Sequence, residues 1–299
     1  LWHWNQEKPH APYLVSLVIG DFDRVTLPAP LSHVPMTVLA PKGRGADAEA
    51  SYANTDRMIA LFEKRFGTKY PWARYDQLIV RNFGAGGMEN TSLIFNRESN
   101  MVLPHKNDIA SRPHVVGLIA HEMAHQWFGD SVSVTNWRDI WLNEGFATYV
   151  EFLWSDKHGE GTTNQLLEEY YAAFAAEPDF WRLPISNPGA KNEFAFQVYL
   201  RGGMTLAALR NRIGEADMEK LLRNWATSKR YGNGSVAEFT AMAERVSGEE
   251  LTAFFHAWLT ARVAPAHTAA NGFLPARGTH STPASADRIA TNAKLRAAG

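Results

Sequence analysis

The chain has 299 residues, 45% of them hydrophobic, enough to bury a sizeable core and to predict one large domain or a domain with fragments beside it. Its 30 Lys and Arg stand against 31 Asp and Glu, which excludes the strong basic field that a nucleic acid or an anionic membrane partner requires. Cysteine is absent, so disulfides and thiolate ligands are excluded, and His, Asp and Glu are left to hold any metal.

No apolar run approaches the roughly 20 residues of a membrane span, so none is expected. The chain starts at Leu1 rather than Met and shows no signal-peptide pattern, which predicts a soluble fragment, cytoplasmic or secreted with its signal removed. Compartment and oligomeric state leave no trace in the sequence.

Residues 1–39 alternate aromatic and β-branched residues with prolines, as in "APYLVSLVIGDFDRVTL", and read as remnant strands of an N-terminal β domain. A helix is expected from about Asp47 to Phe66, because Ala50, Ala53, Met58, Leu61, Phe62 and Phe66 share a face and Gly67 follows. "YDQLIVRNF" reads as a strand and leads into the glycine-rich "GAGGMEN". From Ser111, a capping residue, an apolar helix runs to Phe128, and a second follows from about Leu142 to Lys157. Helices dominate onward to Val263. Residues 264–299 turn to Ala, Thr, Ser and Pro without periodicity and read as an irregular tail, so the expected division is 1–39, 40–263 and 264–299.

Within the apolar helix stands "HEMAHQWFGD". Positions four apart on a helix lie about 40° apart around its axis, so His121 and His125 point the same way and can grip one ion. Glu122 falls on the flank of that face, where it suits a general base. Glu144 follows His125 after eighteen residues, near the start of the next helix, and supplies a third ligand from an antiparallel neighbour. Two imidazoles and a carboxylate leave one zinc position for water, a donor set for metal-assisted hydrolysis. Thr148 and Glu151 lie four and seven residues after Glu144 on the same face. Glu151 is then either an acceptor for a ligand imidazole N–H or a solvated surface carboxylate.

These residues resemble the gluzincin metallopeptidases, and "HEMAHQWFGD" with "WLNEGFATY" is similar to the aminopeptidase N family. The resemblance covers roughly residues 1–262 and extends to "GAGGMEN", which is similar to the family's Gly-x-Met-Glu-Asn exopeptidase sequence. It implies one zinc ion per chain on His121, His125 and Glu144, and a substrate-binding segment of Gly86, Gly87, Met88, Glu89 and Asn90. In it Glu89 takes the free α-amine and the glycines line the peptide backbone. A carboxylate after a glycine-rich strand end can independently meet an ammonium. By the same resemblance Tyr199 of "VYLRGG" is the transition-state donor, with Arg201 in place of the usual Lys. Tyr149, Tyr170 and Tyr171 compete for that role without a motif.

The expected fold is α+β, a thermolysin-like zinc metallopeptidase domain with a small, mostly antiparallel sheet and a predominantly helical lobe. It would be a short form, lacking most of an N-terminal β-sandwich and a C-terminal helical domain. The expected activity is that of a zinc aminopeptidase acting on peptides with a free N-terminus. Its rivals are a thermolysin-like endopeptidase, an epoxide hydrolase of the leukotriene branch and a binding module that keeps the fold.

Overall fold

The computed structural model describes residues 3–101, 112–275 and 282–297; the cap read at Ser111 lies outside them. Five strands, β1 (Phe22–Leu27), β2 (Met36–Pro41), β3 (Tyr75–Val80), β4 (Gly87–Met88) and β5 (Leu93–Arg97), form a sheet in the order β1-β2-β3-β5-β4. The fold is α+β as expected, but the sheet is mixed: β1–β2 and β4–β5 are antiparallel, β2–β3 and β3–β5 parallel. Two helices, α1 (Gly45–Ser51) and α2 (Thr55–Phe66), cross between β2 and β3, and a crossover of that length is what a parallel pair needs.

Two expectations change here. The helix read from Asp47 to Phe66 breaks at residues 52–54, where the Thr55 hydroxyl and backbone N–H both donate to the Tyr52 carbonyl, at 2.7 and 3.0 Å, in place of a continuous ladder. The boundary placed at 39/40 falls inside β2, whose Met36, Val38 and Ala40 are buried in this sheet's own core, so β1 and β2 belong to this sheet.

The helical lobe runs through α3 (Glu98–Met101), α4 (Arg112–His125), α5 (Trp141–Lys157), α6 (Thr163–Phe174), α7 (Pro178–Trp181) and α8 (Phe196–Ile213). It continues through α9 (Glu215–Ser228), α10 (Val236–Ser247), α11 (Thr252–Phe255) and α12 (Ala286–Ala297). Short parallel strands β6 (Val132–Val134) and β7 (Gly232–Gly234) tie the α4–α5 connection to the α9–α10 turn. Capping boxes at Thr162/Gln165 and Ser235/Glu238 start α6 and α10, each satisfying two otherwise orphaned backbone donors.

Aromatic packing joins the lobes where the site needs it. Phe62 and Phe66 of α2 meet Trp127 at ring-centroid distances of 6.3 and 5.4 Å, and Phe66 meets Phe128 at 4.8 Å. Each such buried ring contributes roughly 1.5–3 kcal/mol, so the C-terminal turn of α4 is firmly held against α2. Behind it, α5 and α8 touch backbone to backbone. A Cβ on Gly145 would lie 2.8 Å from the Gly202 Cα, and one on Gly202 would lie 2.6 Å from the Gly145 Cα.

The tail also differs from its reading. In place of an irregular segment, residues 286–297 form α12, which buries Arg288, Ile289, Asn292, Ala293 and Arg296 against the helical lobe. Only one of these is a large aliphatic residue, so the face carries no hydrophobic periodicity to read.

Candidate active site

α4 and α5 deliver the three ligand candidates to one point. The Nε2 atoms of His121 and His125 each lie 3.2 Å from Glu144 Oε2, with all three residues buried. Each imidazole is fixed from behind. His121 Nδ1 lies 3.0 Å from Glu151 Oε1, and His125 Nδ1 lies 3.1 Å from the Phe128 carbonyl, which the turn after α4 presents to it. With Nδ1 donating, each Nε2 keeps a lone pair facing the shared point, the arrangement that a tetrahedral N, N, O zinc site requires.

The electrostatics agree. Burial alone would lower the His125 pKa, yet Glu144 and Glu89 carry it up to about 10. Burial would raise Glu144, but His125 and His121 hold it well below the usual carboxylate range. The attraction that keeps a proton on His125 is one that a divalent cation would satisfy on displacing it. Glu151 is buried rather than solvated; against its burial, Arg296 and His121 keep its pKa low.

Glu122 lies on the sheet-facing flank of α4. A Cβ at Gly87 would come within 2.5 Å of Glu122 Oε1, so a side chain at this position of β4 would displace the Glu122 carboxylate. β4 is the outer strand of the sheet, paired to β5 with Gly87 opposite Asn96 and Met88 opposite Phe95. Gly86 is buried, and its carbonyl accepts the Arg97 N–H at 3.1 Å. Met88 is half-buried. Glu89 is buried at the strand's end, where its carboxylate oxygen, one from Glu122 and a nitrogen of His125 all lie within 4.8 Å of one another. Burial, reinforced by Glu144 and Glu122, pushes the Glu89 pKa up to about 7. Asn90 points elsewhere: its Nδ2 donates to the Leu14 carbonyl at 3.1 Å and anchors the N-terminal segment.

Tyr199, on the first turns of α8, stacks on His121 with centroids 6.0 Å apart and planes 28° from parallel. Burial raises its pKa, and the next contribution comes from Glu144, so it keeps its proton and its O–H can donate. The competing tyrosines are committed elsewhere. Tyr170 donates to the Ala286 carbonyl at 2.7 Å and Tyr171 to the Pro265 carbonyl at 2.6 Å, while Tyr149 sits among Arg210, Arg65, Glu215 and Asp156. Thr148 is buried; its hydroxyl has no hydrogen-bond partner among the described residues, and its Cγ2 would lie 2.8 Å from a Cβ on Gly203. Arg201 faces away from the metal point and pegs the lobe together, donating to the carbonyls of Trp258 at 2.6 Å, Leu183 at 2.8 Å and Ala261 at 2.7 Å.

Three contributors went unread in the sequence. Gln126 Nε2 donates to the Glu89 carbonyl at 3.0 Å and to Asp130 Oδ2 at 2.8 Å, tying the end of α4 to the glycine-rich segment. A polar residue directly after a ligand histidine in an apolar helix was a usable signal for it. Tyr13 lies close enough to Glu89, Asp130 and Glu144 that burial and their charges raise its pKa strongly. Arg296 of α12 places Nη1 3.1 Å from Glu151 Oε1 and Nε 3.4 Å from Glu122 Oε1. No pattern in the tail pointed to it.

Comparison with known proteins bears on these same elements. The model of the Peptidase family M1 domain matches residues 50–258. Aminopeptidase N of Rattus norvegicus is 32% identical over 250 residues, covering 77% of this chain and 26% of that protein. Glutamyl aminopeptidase of Bos taurus is 28% identical over 264 residues, covering 85% of this chain and 28% of its own length. The chain thus spans about a quarter of the length of these relatives. Among solved structures, a variant M1 zinc metallopeptidase from Deinococcus radiodurans bound to a Tyr-Ser-Ala substrate superposes with a TM-score of 0.71 at 27% identity, covering 87% of this chain and 56% of that one.

Proposed function

Because the chain belongs to peptidase family M1, whose members are zinc aminopeptidases, we propose that it hydrolyses the N-terminal peptide bond of peptides with a free amine. One observation carries the reading: a buried His121–His125–Glu144 ligand set stands within a few ångströms of a second buried carboxylate, Glu89, at the end of an edge strand.

His121 Nε2, His125 Nε2 and Glu144 would hold one zinc ion, which supplies Lewis acidity where a scissile carbonyl and a water meet. Glu122 takes the proton from that water and returns it to the departing nitrogen. Tyr199 donates its O–H to the carbonyl oxygen, and the bond strengthens as negative charge gathers there. The open edge of β4 accepts the substrate backbone as an added strand, with Gly86, Gly87 and Met88 lining it. Glu89 meets the ammonium. Since Glu89 and Glu122 come within 4.8 Å of each other, a peptide whose amine reaches Glu89 presents its first bond to the base.

The test is a matched pair of fluorogenic peptides, one free and one acetylated at the N-terminus, with and without chelator. Chelator-sensitive cleavage of the free peptide alone is expected. Equal cleavage of both peptides would replace the exopeptidase reading with an endopeptidase, and cleavage of neither by zinc-loaded protein would remove the hydrolase reading.

A further inference from the structure

The buried face of α12 mixes apolar residues with charged and amide side chains. Ile289 and Ala293 are apolar, but Arg288, Asn292 and Arg296 are buried beside them. A guanidinium is seldom buried without partners that repay its lost hydration. Arg288 has Glu160, with Nη2 2.6 Å from its Oε2. Arg296 has Glu151 and Glu122, two carboxylates already placed at the metal site.

The seat of α12 is on α4, one turn before His121. A Cβ on Gly117 would lie 3.1 Å from Asn292 Nδ2, 3.1 Å from Glu151 Oε2 and 3.3 Å from Arg288 Nε. Gly117 therefore leaves room for α12 and Glu151 together, directly beside the ligand histidine. Glu151 Oε1 then meets two groups at once: His121 Nδ1 at 3.0 Å and Arg296 Nη1 at 3.1 Å. Its other oxygen has no hydrogen-bond partner among the described residues. The orientation of the carboxylate, and through it the aim of the His121 ring, depends on those two bonds.

We propose that Arg296 is a positioning residue of the metal site: it fixes the Glu151 carboxylate that orients His121, which makes α12 a component of zinc binding. The proposal rests on the reading of His121 as a ligand. Its bond to Glu151 is the closer of its two carboxylate contacts; the approach to Glu122 at 3.4 Å leaves Arg296 Nε without a hydrogen-bond partner. A guanidinium suits this task because it keeps its charge when buried, so Nη1 goes on donating to Glu151 Oε1.

The experiment measures the zinc dissociation constant of the full chain by competition with a chromophoric chelator. It uses wild type, Arg296→Gln, Glu151→Gln and the double variant, each well below its unfolding midpoint, with hydrolysis of the free-amine peptide followed in parallel. Outer partners of metal-bound histidines are typically worth about 10–100-fold in affinity, so each single substitution is expected to weaken zinc by about that factor. The double variant is expected to be no weaker than the worse single one, because both changes break one relay. A merely structural role for Arg296 would lower the unfolding midpoint and leave the zinc constant in place, or would multiply with Glu151→Gln; either result overturns the proposal. So does Arg296→Gln that hydrolyses faster at unchanged zinc affinity, which would make α12 a clamp on Glu122. Should Arg296→Gln fail to fold, Arg296→Met, which keeps the stem and removes every donor, replaces it, and an affinity equal to wild type overturns the proposal. Wild type without stoichiometric zinc overturns both this inference and the metal reading, whereas a zinc constant that responds as expected in a chain without hydrolysis removes only the aminopeptidase reading.

Discussion

The two halves of the candidate site are both buried and both rich in carboxylates, yet they are built differently. At the metal end each ring is held from behind: His121 by Glu151, His125 by the Phe128 carbonyl. Among the described residues both ends hold buried polar atoms without a hydrogen-bond partner, Glu151 Oε2 and Arg296 Nε at the first and Asp130 Oδ1 and Asn90 Oδ1 at the second, but no such ring-fixing bonds serve the amine end. There burial pushes the Glu89 pKa up to about 7. The first end is preorganised by its own bonds; the second has carboxylates whose negative charge is costly until a cation arrives. The resident zinc ion and the transient ammonium of the proposed reaction would call for these two kinds of environment.

The largest effect should come from the metal end. Glu122→Gln is expected to lower kcat by about 10²–10⁴ while stoichiometric zinc remains, since in the proposed reaction the residue moves a proton and is not a ligand. Metal analysis beside turnover checks it, and near-normal turnover would break the distinction between base and ligands.

A smaller effect belongs to the amine end. Glu89→Gln is expected to raise KM for free-amine peptides by about 10–100-fold, the value of a hydrogen bond to a charged group, with little change in kcat. The pH dependence sharpens this. A carboxylate with a raised pKa is ionised only above that value, so pairing with the substrate should be present above pH 7 and lost as pH falls through it. The peptide α-amine loses its proton near pH 8, so the lowest KM should fall between about 7 and 8. Zinc beside His125 would draw the acid limb lower, never higher. A KM–pH profile for wild type and Glu89→Gln reads both limbs, and an acid limb that survives the substitution would count against Glu89.

The smallest effect is expected at Asp130. Burial and the nearby Glu89 raise its pKa well above the carboxylate range, and Gln126 already donates to one of its oxygens. Asp130→Asn keeps an acceptor for Gln126, so KM should change by less than about threefold. A loss as large as that of Glu89→Gln would show that the amine end works with two charges.

What could be read in the sequence followed from spacing. His121, Glu122 and His125 carry their mutual geometry in the helical repeat, while Glu144 was legible from its place near the start of the next helix and from the family resemblance; the helices themselves were legible as long apolar runs. Glu151 was half-legible: its register on α5 put it on the ligand face, but nothing in the sequence could decide burial. The parallel pairings of the sheet were hidden, because strand order depends on contacts between residues far apart in the chain. Arg296 was hidden more deeply. It reaches Glu151 across 145 residues, on a helix whose buried face is built from charge, amide and alanine, and no pattern of apolar residues announces such a face.

The backbone contact between Gly145 and Gly202 has a mechanical consequence. Helices that meet through side chains can slide, because rotamers change to follow. Here no side-chain layer lies between α5 and α8 at the crossing, which comes one residue after Glu144 and three after Tyr199. The spacing between the Glu144 carboxylate and the Tyr199 phenol is therefore set like the jaws of a fixed gauge, by main chain on main chain, and displacement of one helix carries the other with it.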